Sequence, residues 1–339
     1  MARNRNLNKA RSAKNDEFYT QLIDIENELR HYRCHFKNKV VYCNCDDPRA
    51  SNFFFYFSHN FEKLGLKKLI TTCYKNKDRD LHSQNDSEQA VYLEYYGDKN
   101  GNRVPDPDEI GIHKLKGDGD FRSAECIAIL KQADIVVTNP PFSLFREYVA
   151  QLMEYKKKFL IMGNLNAVTY KEIFPLIKDN KVWLGVNAQS MEFGIPDNYP
   201  LAASRGREDD DGQKYVYVNG IRWFTNLKHA VRNRELALYE SYDQEKYPKY
   251  DNYDAIEISK VKNIPKDYYE VMGVPITYVE KHNPKQFEII DHIGPTVKGK
   301  AVYERILIKR ISSSISKLVD RNISTSYSYY LLPDYHLHK

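Results

Sequence analysis

Between residues 39 and 227, short apolar runs alternate with stretches of helical periodicity. That alternation constrains the fold more than any single motif does. The strand-like runs are KVVYCNC (39–45), LKKLITTCY (66–74), HKLKGDGD (113–120), DIVVTN (134–139), KKFLIMGN (157–164), KVWLGV (181–186) and RWFTNL (222–227). Helical patterns separate them. In SNFFFYFSHNFEKLG (51–65), Phe53, Phe57, Phe61 and Leu64 share one face and Gly65 supplies a stop. Ser123 is an N-cap for SAECIAILKQA (123–133). Leu144, Tyr148 and Leu152 line one face of SLFREYVAQLMEY (143–155). Thr169 and Glu172 form a capping box for TYKEIFPLIKDN. Alternation at this spacing predicts an α/β fold of βαβ units, with a mostly parallel sheet and helices on both faces. No helical pattern separates the last two strands, so one of them is expected to be antiparallel. Residues 75–110 are polar and read as a loop or insertion, as does the stretch between 186 and 222.

In such sheets ligands bind beyond the carboxyl ends of the strands, where the winding reverses. Three polar segments follow strands and so fall on that edge: Asp46-Asp47-Pro48, Asp118-Gly119-Asp120-Phe121 and Asn139-Pro140-Pro141-Phe142. The last is the most specific. Two prolines fix the backbone and end the strand. The Asn139 side-chain oxygen and the Pro140 carbonyl can then accept both hydrogens of one amino group, and Phe142 offers a flat face for stacking. An exocyclic amine on a planar base needs those groups. Accepting both hydrogens frees the nitrogen lone pair for attack on an electrophile. A plain proline-rich turn is the bland alternative. Asp46 and Asp47 suit a cationic or hydroxyl-bearing cofactor group, or an ordinary loop. Asp118 and Asp120 suit a ligand loop or a solvated turn. No Gly-x-Gly-x-x-Gly follows the first strand, which removes the dinucleotide fingerprint.

Charge is not spread evenly along the chain. The net charge of +5 is modest, but Arg3, Arg5, Lys9, Arg11 and Lys14 precede the first acid, Asp16. Such an arm can reach nucleic-acid phosphates or remain a solvated tail. Five scattered cysteines argue against a disulfide framework. His31, Cys34 and His35 lack a second ligand pair, so no metal site is expected. The longest apolar stretch, Phe53 to Phe57, is too short to cross a bilayer, and a cytoplasmic protein is expected.

Together these segments resemble the EcoRI-type adenine-specific (N6) DNA methyltransferases, in the gamma order of motifs. The likeness rests on Asp16-Glu17-Phe18-Tyr19-Thr20, VVYCNCDDPRASNFF, GDGDFRS, DIVVTNPPFSLFREY, KYDNYDAIE, MGVP (272–275) and NPKQFEI (283–289). It spans most of residues 1–310 and fades at 75–110, at 187–220 and after 311. The resemblance implies S-adenosylmethionine as cofactor and a Rossmann-like methyltransferase sheet. It implies the N6 of an adenine flipped out of double-stranded DNA as acceptor, within a short palindrome built on AATT. By the same resemblance Asp16 to Thr20 line the methionine end of the cofactor, Asp46 to Pro48 are the first-strand cofactor motif, Asp118 to Phe121 lie near its adenine, and Asn139 to Phe142 hold the target base. One departure is that the second strand ends Thr72-Cys73-Tyr74, without the acid many such enzymes offer the ribose. The implied chemistry is a direct displacement, consistent with the absence of any Pro-Cys dipeptide for a covalent adduct.

The expected organisation is a basic arm (1–15), a catalytic domain (16–228), a Tyr- and Lys-rich target-recognition region (229–310) and a tail (311–339). The protein is expected to act as a monomer near the bacterial nucleoid, with room for a cognate restriction endonuclease as a companion. Competing readings are an amino-methyltransferase for RNA or protein glutamine, and a catalytically silent DNA-binding regulator.

Overall fold

A computed structural model describes residues 19–45, 51–72, 90–102, 105–106, 108–188, 191–195, 206–210 and 212–311. The chain forms two compact units, Met1–Val231 and Arg232–Lys339.

In the first unit the chain opens with β1 (Tyr19–Thr20) and α1 (Leu22–Leu29) and enters the sheet at β2 (Val40–Asn44). All five β2 residues are buried, the pattern of a strand covered on both faces. The Ser51 hydroxyl then accepts from Phe53 N at 3.2 Å and Phe54 N at 3.3 Å, satisfying two orphan donors of α2 (Asn52–His59). Asn60 leaves the helical region and splits off α3 (Phe61–Leu64). Gly65, with φ +63°, closes that helix in the left-handed conformation a Cβ would disfavour. Next come β3 (Lys68–Thr72), β4 (Val91–Tyr95), β5 (Ile110–Lys114), α4 (Ala124–Gln132), β6 (Ile135–Thr138), α5 (Phe145–Glu154), β7 (Lys158–Asn164), α6 (Phe174–Lys178), β8 (Trp183–Leu184), β9 (Met191–Ile195), β10 (Gly206–Glu208), β11 (Lys214–Val218) and β12 (Ile221–Thr225).

The main sheet has the order β5-β4-β3-β2-β6-β7-β12-β8. Only β3–β2, β2–β6 and β6–β7 are parallel pairs. The pairs β3–β4, β4–β5, β7–β12 and β12–β8 are antiparallel. The expected mostly parallel sheet is therefore corrected to a mixed one, with a four-stranded parallel centre flanked on each side by antiparallel strands. The antiparallel strand expected near the end is β12. Helices cover both faces of the centre. Val41, Cys43, Val137 and Leu160 pack in one core with Ile25 and Leu29 of α1 and with Phe53 and Phe57 of α2. On the opposite face, the α5 residue Tyr148 bonds Asn44.

Three sequence expectations need correction. Residues 75–110 are not wholly a loop, because β4 lies within them. Leu93 and Tyr95 are buried while Tyr92 and Glu94 are partly covered, so period-2 alternation with charge hid the strand. Lys68 pairs with Glu94 across the β3–β4 ladder. The stretch between 186 and 222 carries a second sheet of order β1-β9-β11-β10. Met191, Phe193 and Ile195 of β9 and Val216 and Val218 of β11 turn to the core. Glu192 pairs with Arg207 at 2.6 Å on the outside. Thr169 caps no helix. The Asn164 side chain instead starts a 3-10 turn, Leu165–Thr169, by accepting from Asn166 N. Within that turn the Thr169 hydroxyl donates to Asn166 O at 3.0 Å. Pro175 sits in the first turn of α6, where its missing N–H costs nothing, so the helix begins there.

The second unit carries β13 (Ile256–Glu257), β14 (Met272–Pro275), β15 (Phe287–Ile293), β16 (Thr296–Val297), β17 (Lys300–Ala301) and β18 (Arg305–Arg310). Its sheet runs β13-β14-β18-β15, and β16–β17 form a separate hairpin. Arg305 and Glu257, about nine-tenths covered, form a forked ion pair at 2.6 Å that joins β18 to β13. Tyr250 donates to the same carboxylate at 2.5 Å.

Candidate active site at the parallel strand ends

From β2 the chain crosses one way to β3 and returns the other way, through α4, to β6. The winding therefore reverses between β2 and β6, which pair directly (Val41↔Ile135, Tyr42↔Val136). Both strands end in polar residues that are almost completely covered: Asn44 is 4% exposed, Thr138 0% and Asn139 7%. Burying polar groups is costly unless they are bonded, and here the strand ends bond each other. The Thr138 hydroxyl donates to the Asn44 carbonyl. The Tyr148 hydroxyl, on α5, donates to the Asn44 side-chain oxygen. Burial pushes the Tyr148 phenol far above its ordinary range, so it is a donor at any physiological pH. Just past Asn44, Cys45 adopts φ +74°, a left-handed turn for a residue with a Cβ.

Asn139-Pro140-Pro141-Phe142 leaves β6 at this crevice. Pro140 is buried, and Phe142 is partly buried against the main core. Phe142–Leu144 makes one 3-10 turn, closed by Leu144 N on Pro141 O at 3.0 Å, and passes directly into α5. The Phe145 ring at the start of α5 lies over the β7 backbone at Gly163. An edge-on contact with Phe224 at 5.0 Å fixes that ring.

The Asp118–Phe121 segment joins the same cluster through Tyr148. Phe121 meets the Tyr148 ring edge-on at 5.0 Å and 79°. Gln151 Nε2 donates to Phe121 O at 3.0 Å. Gly119 has φ +81°, which the tight turn requires. The two aspartates differ. Asp120 holds Arg122 at 2.7 Å, and that guanidinium keeps its carboxyl below the usual range. Asp118 accepts only Asp120 N, at 3.1 Å, and pairs with no cation among the described residues.

The first segment is drawn to the same region at its described end. Asn52, in the first turn after the β2 loop, donates to Thr20 O at 2.7 Å. The buried Thr20 hydroxyl reaches Met162 Sδ of β7 at 3.5 Å. Tyr19 pairs with Gly194. The remaining candidates Asp16, Glu17, Phe18, Asp46, Asp47 and Pro48, and the arm residues Arg3, Arg5, Lys9, Arg11 and Lys14, lie outside the described residues. The Thr72 hydroxyl at the end of the second strand is engaged by Tyr42 at 2.7 Å. No group of three metal-ligating residues gathers among the described residues, and no described helix is long and apolar enough to cross a membrane.

Sequence reasoning missed Asn44, Asn52 and Gln151 and gave Tyr148 only a packing role. For Asn44 a signal exists: a polar residue closing a strand that is otherwise wholly apolar needs a partner.

The chain matches the family described as "Adenine-specific methyltransferase EcoRI" over residues 6–331. It is 51% identical over 318 residues to "Type II methyltransferase M.EcoRI" of Escherichia coli, covering 91% of this chain and 97% of that one. It is 41% identical over 332 residues to "Type II methyltransferase M.MpnI" of Mycoplasma pneumoniae, covering 90% and 98%. It is 38% identical over 332 residues to "Type II methyltransferase M.MgeORF184P" of Mycoplasma genitalium, with the same coverage. No solved structure matches.

Proposed function

Since the chain belongs to the EcoRI family of adenine-specific methyltransferases, we propose that it methylates N6 of an adenine in double-stranded DNA, at the crevice between β2 and β6. The observation that carries this reading is the buried bonding of the two strand ends through Asn44. It gives Asn139-Pro140 a rigid seat.

A base inside the duplex presents its amine to no side-chain pocket, so the adenine must first leave the stack, at a cost of a few kcal/mol. Stacking on Phe142 and hydrogen bonds to the protein offset that cost. Asn139 Oδ1 and the Pro140 carbonyl each accept one N6 hydrogen and turn the lone pair toward the methyl donor. Pro140 and Pro141 hold the acceptors without a reorganisation step, and such positioning supplies much of the acceleration. The aligned amine is itself the nucleophile, so the protein forms no covalent bond with the base.

The residues at this edge suit S-adenosylmethionine, which when bound supplies an electrophilic methyl group on a sulfonium. Asp118 is a carboxylate that pairs with no cation among the described residues, beside the aromatic pair Phe121 and Tyr148. We assign Asp118, Asp120 and Phe121 to the adenine end of the cofactor, Asp46, Asp47 and Pro48 to the first-strand motif, and Asp16 to Thr20 to the methionine end. The arm with Arg3, Arg5, Lys9, Arg11 and Lys14 grips DNA phosphates, and residues 229–310 read the target, a short palindrome built on AATT. The enzyme works as a monomer in the bacterial cytoplasm, alongside a cognate endonuclease.

Incubating the purified chain with methyl-tritiated S-adenosylmethionine and, separately, duplex DNA, RNA or protein tests the reading. Label is expected in adenine of the duplex. Label only in RNA or protein would refute it.

A further inference from the structure

In the second unit several exposed cations are neutralised locally. Lys246 pairs with Glu240 at 2.7 Å, Lys249 with Asp254 at 3.3 Å and Lys309 with Glu270 at 3.3 Å. The β16–β17 hairpin is arranged differently. Residues 294–303, GPTVKGKAVY, contain two lysines and no acid. Lys298 and Lys300 are both exposed, and neither pairs with an acid among the described residues.

The tip that carries them is built to a fixed shape. Thr296 pairs with Ala301 and Val297 with Lys300. Lys298 and Gly299 turn the chain with φ of +50° and +72°. Two left-handed central residues give the turn whose twist matches the strands. A lysine there is strained, and Asp251 offsets the strain by accepting from Lys298 N at 3.2 Å and Gly299 N at 2.8 Å. Asp251 N also donates to Thr296 O at 2.9 Å, and Asn252 Oδ1 accepts from Thr296 N at 3.1 Å. At the root, Val297 and Val302 pack on a small core of Tyr250, Ala255 and Leu307. Tyr303, 73% exposed, extends the surface beyond β17.

We propose that the β16–β17 hairpin is a preorganised finger whose Lys298 and Lys300 ammonium groups bind backbone phosphates of the substrate duplex. This rests on double-stranded DNA being the substrate. Two unpaired cations on a rigid tip complement a polyanion, and a tip already ordered loses little freedom on binding. Phosphate contacts set the register of a protein on DNA but carry no sequence information. Tyr303 is placed to add a hydrogen bond of the same kind.

The test compares the full-length chain with a Lys298→Gln/Lys300→Gln variant. Binding is measured over a salt series to one duplex that the wild type methylates and one that it does not. Both lysines are exposed, so the variant is expected to melt as the wild type does. Affinity for both duplexes should fall by about ten-fold, and the slope of log K against log salt should flatten by about 1.8, or 0.9 per lost phosphate contact. KM for DNA should rise by about the same factor as the affinity falls. Gly299→Ala keeps both charges, distorts the tip and should also weaken binding to both duplexes. Wild-type affinity and slope in the double variant would overturn the proposal, as would a loss confined to the methylated duplex. Wild-type binding by Gly299→Ala would overturn the preorganised tip. A wild-type chain that methylates no duplex counts against the proposed function. A fully active double variant with unchanged binding counts against the hairpin alone.

Discussion

The Tyr148 hydroxyl of α5 donates to the side-chain oxygen of Asn44 at the end of β2, with both residues buried. Through this bond the helix that follows Asn139–Phe142 fixes the strand that precedes Asp46-Asp47-Pro48. Tyr148 also carries Phe121 on its ring. One phenol therefore ties together three candidate segments that stand far apart in sequence.

Tyr148→Phe keeps the ring and removes the donor. A buried acceptor left without its partner costs about 1–3 kcal/mol. We expect a lower denaturation midpoint and a weaker Kd for S-adenosylmethionine, measured by calorimetry, with the Phe121 contact retained. Wild-type cofactor affinity in this variant would show that the bond does not organise the site.

Gly163→Ala tests the floor of the site. A Cβ at Gly163 would lie 2.5–2.6 Å from the Phe145 ring and 3.0 Å from Phe224. Phe145 opens α5 directly after the Phe142–Leu144 turn, so relief of that clash must move the turn. Overpacking of this kind costs about 1–3 kcal/mol. Methyl transfer should fall more than global stability does. Equal activity at 25 °C would mean that Phe145 moves without the turn.

His282 gives the second unit a pH signature. It is 5% exposed and its Nε2 bonds Phe287 O at 2.9 Å, so the neutral ring donates there. Burial first, and the nearby Arg232 charge after it, lowers its pKa from 6.5 to about 4. The unfolded chain therefore takes up this proton first as pH falls. The stabilisation is complete above pH 6.5 and drains away between 6.5 and about 4, by an amount on the order of 3 kcal/mol. His282→Gln should flatten that part of the curve of stability against pH. An unchanged slope in urea titrations would assign the acid sensitivity to other groups.

What the sequence disclosed follows from burial. β2, β6 and β7 are covered on both faces and read as unbroken apolar runs, so the parallel centre was legible. Ser123 and Gly65 announced their helix ends because capping is local chemistry. β4 and β9 set Glu94 and Glu192 between buried apolar residues, and β11 alternates Val216 and Val218 with wetter Tyr215 and Tyr217, so these strands look like polar loop when one face is wet. The Thr169 capping box failed because Asn164, five residues earlier, already starts a competing turn. Asn139–Phe142 stood out because two prolines after a buried strand are rare. The Asn44–Tyr148 bond spans 104 residues, and no local pattern encodes such a partner. The aspartates of the 118–120 turn read alike in sequence, and only Arg122 distinguishes them.

The most direct test of the central claim is an Asn139→Ala variant assayed beside the wild type for N6-methyladenine in digested duplex DNA, with S-adenosylmethionine binding measured on the same preparations. Loss of one preorganised partner at the reacting centre should lower turnover by about 100-fold or more. Cofactor affinity and melting temperature should remain those of the wild type. Near-normal methylation by Asn139→Ala would contradict the assignment of the β6 edge as the seat of the target adenine.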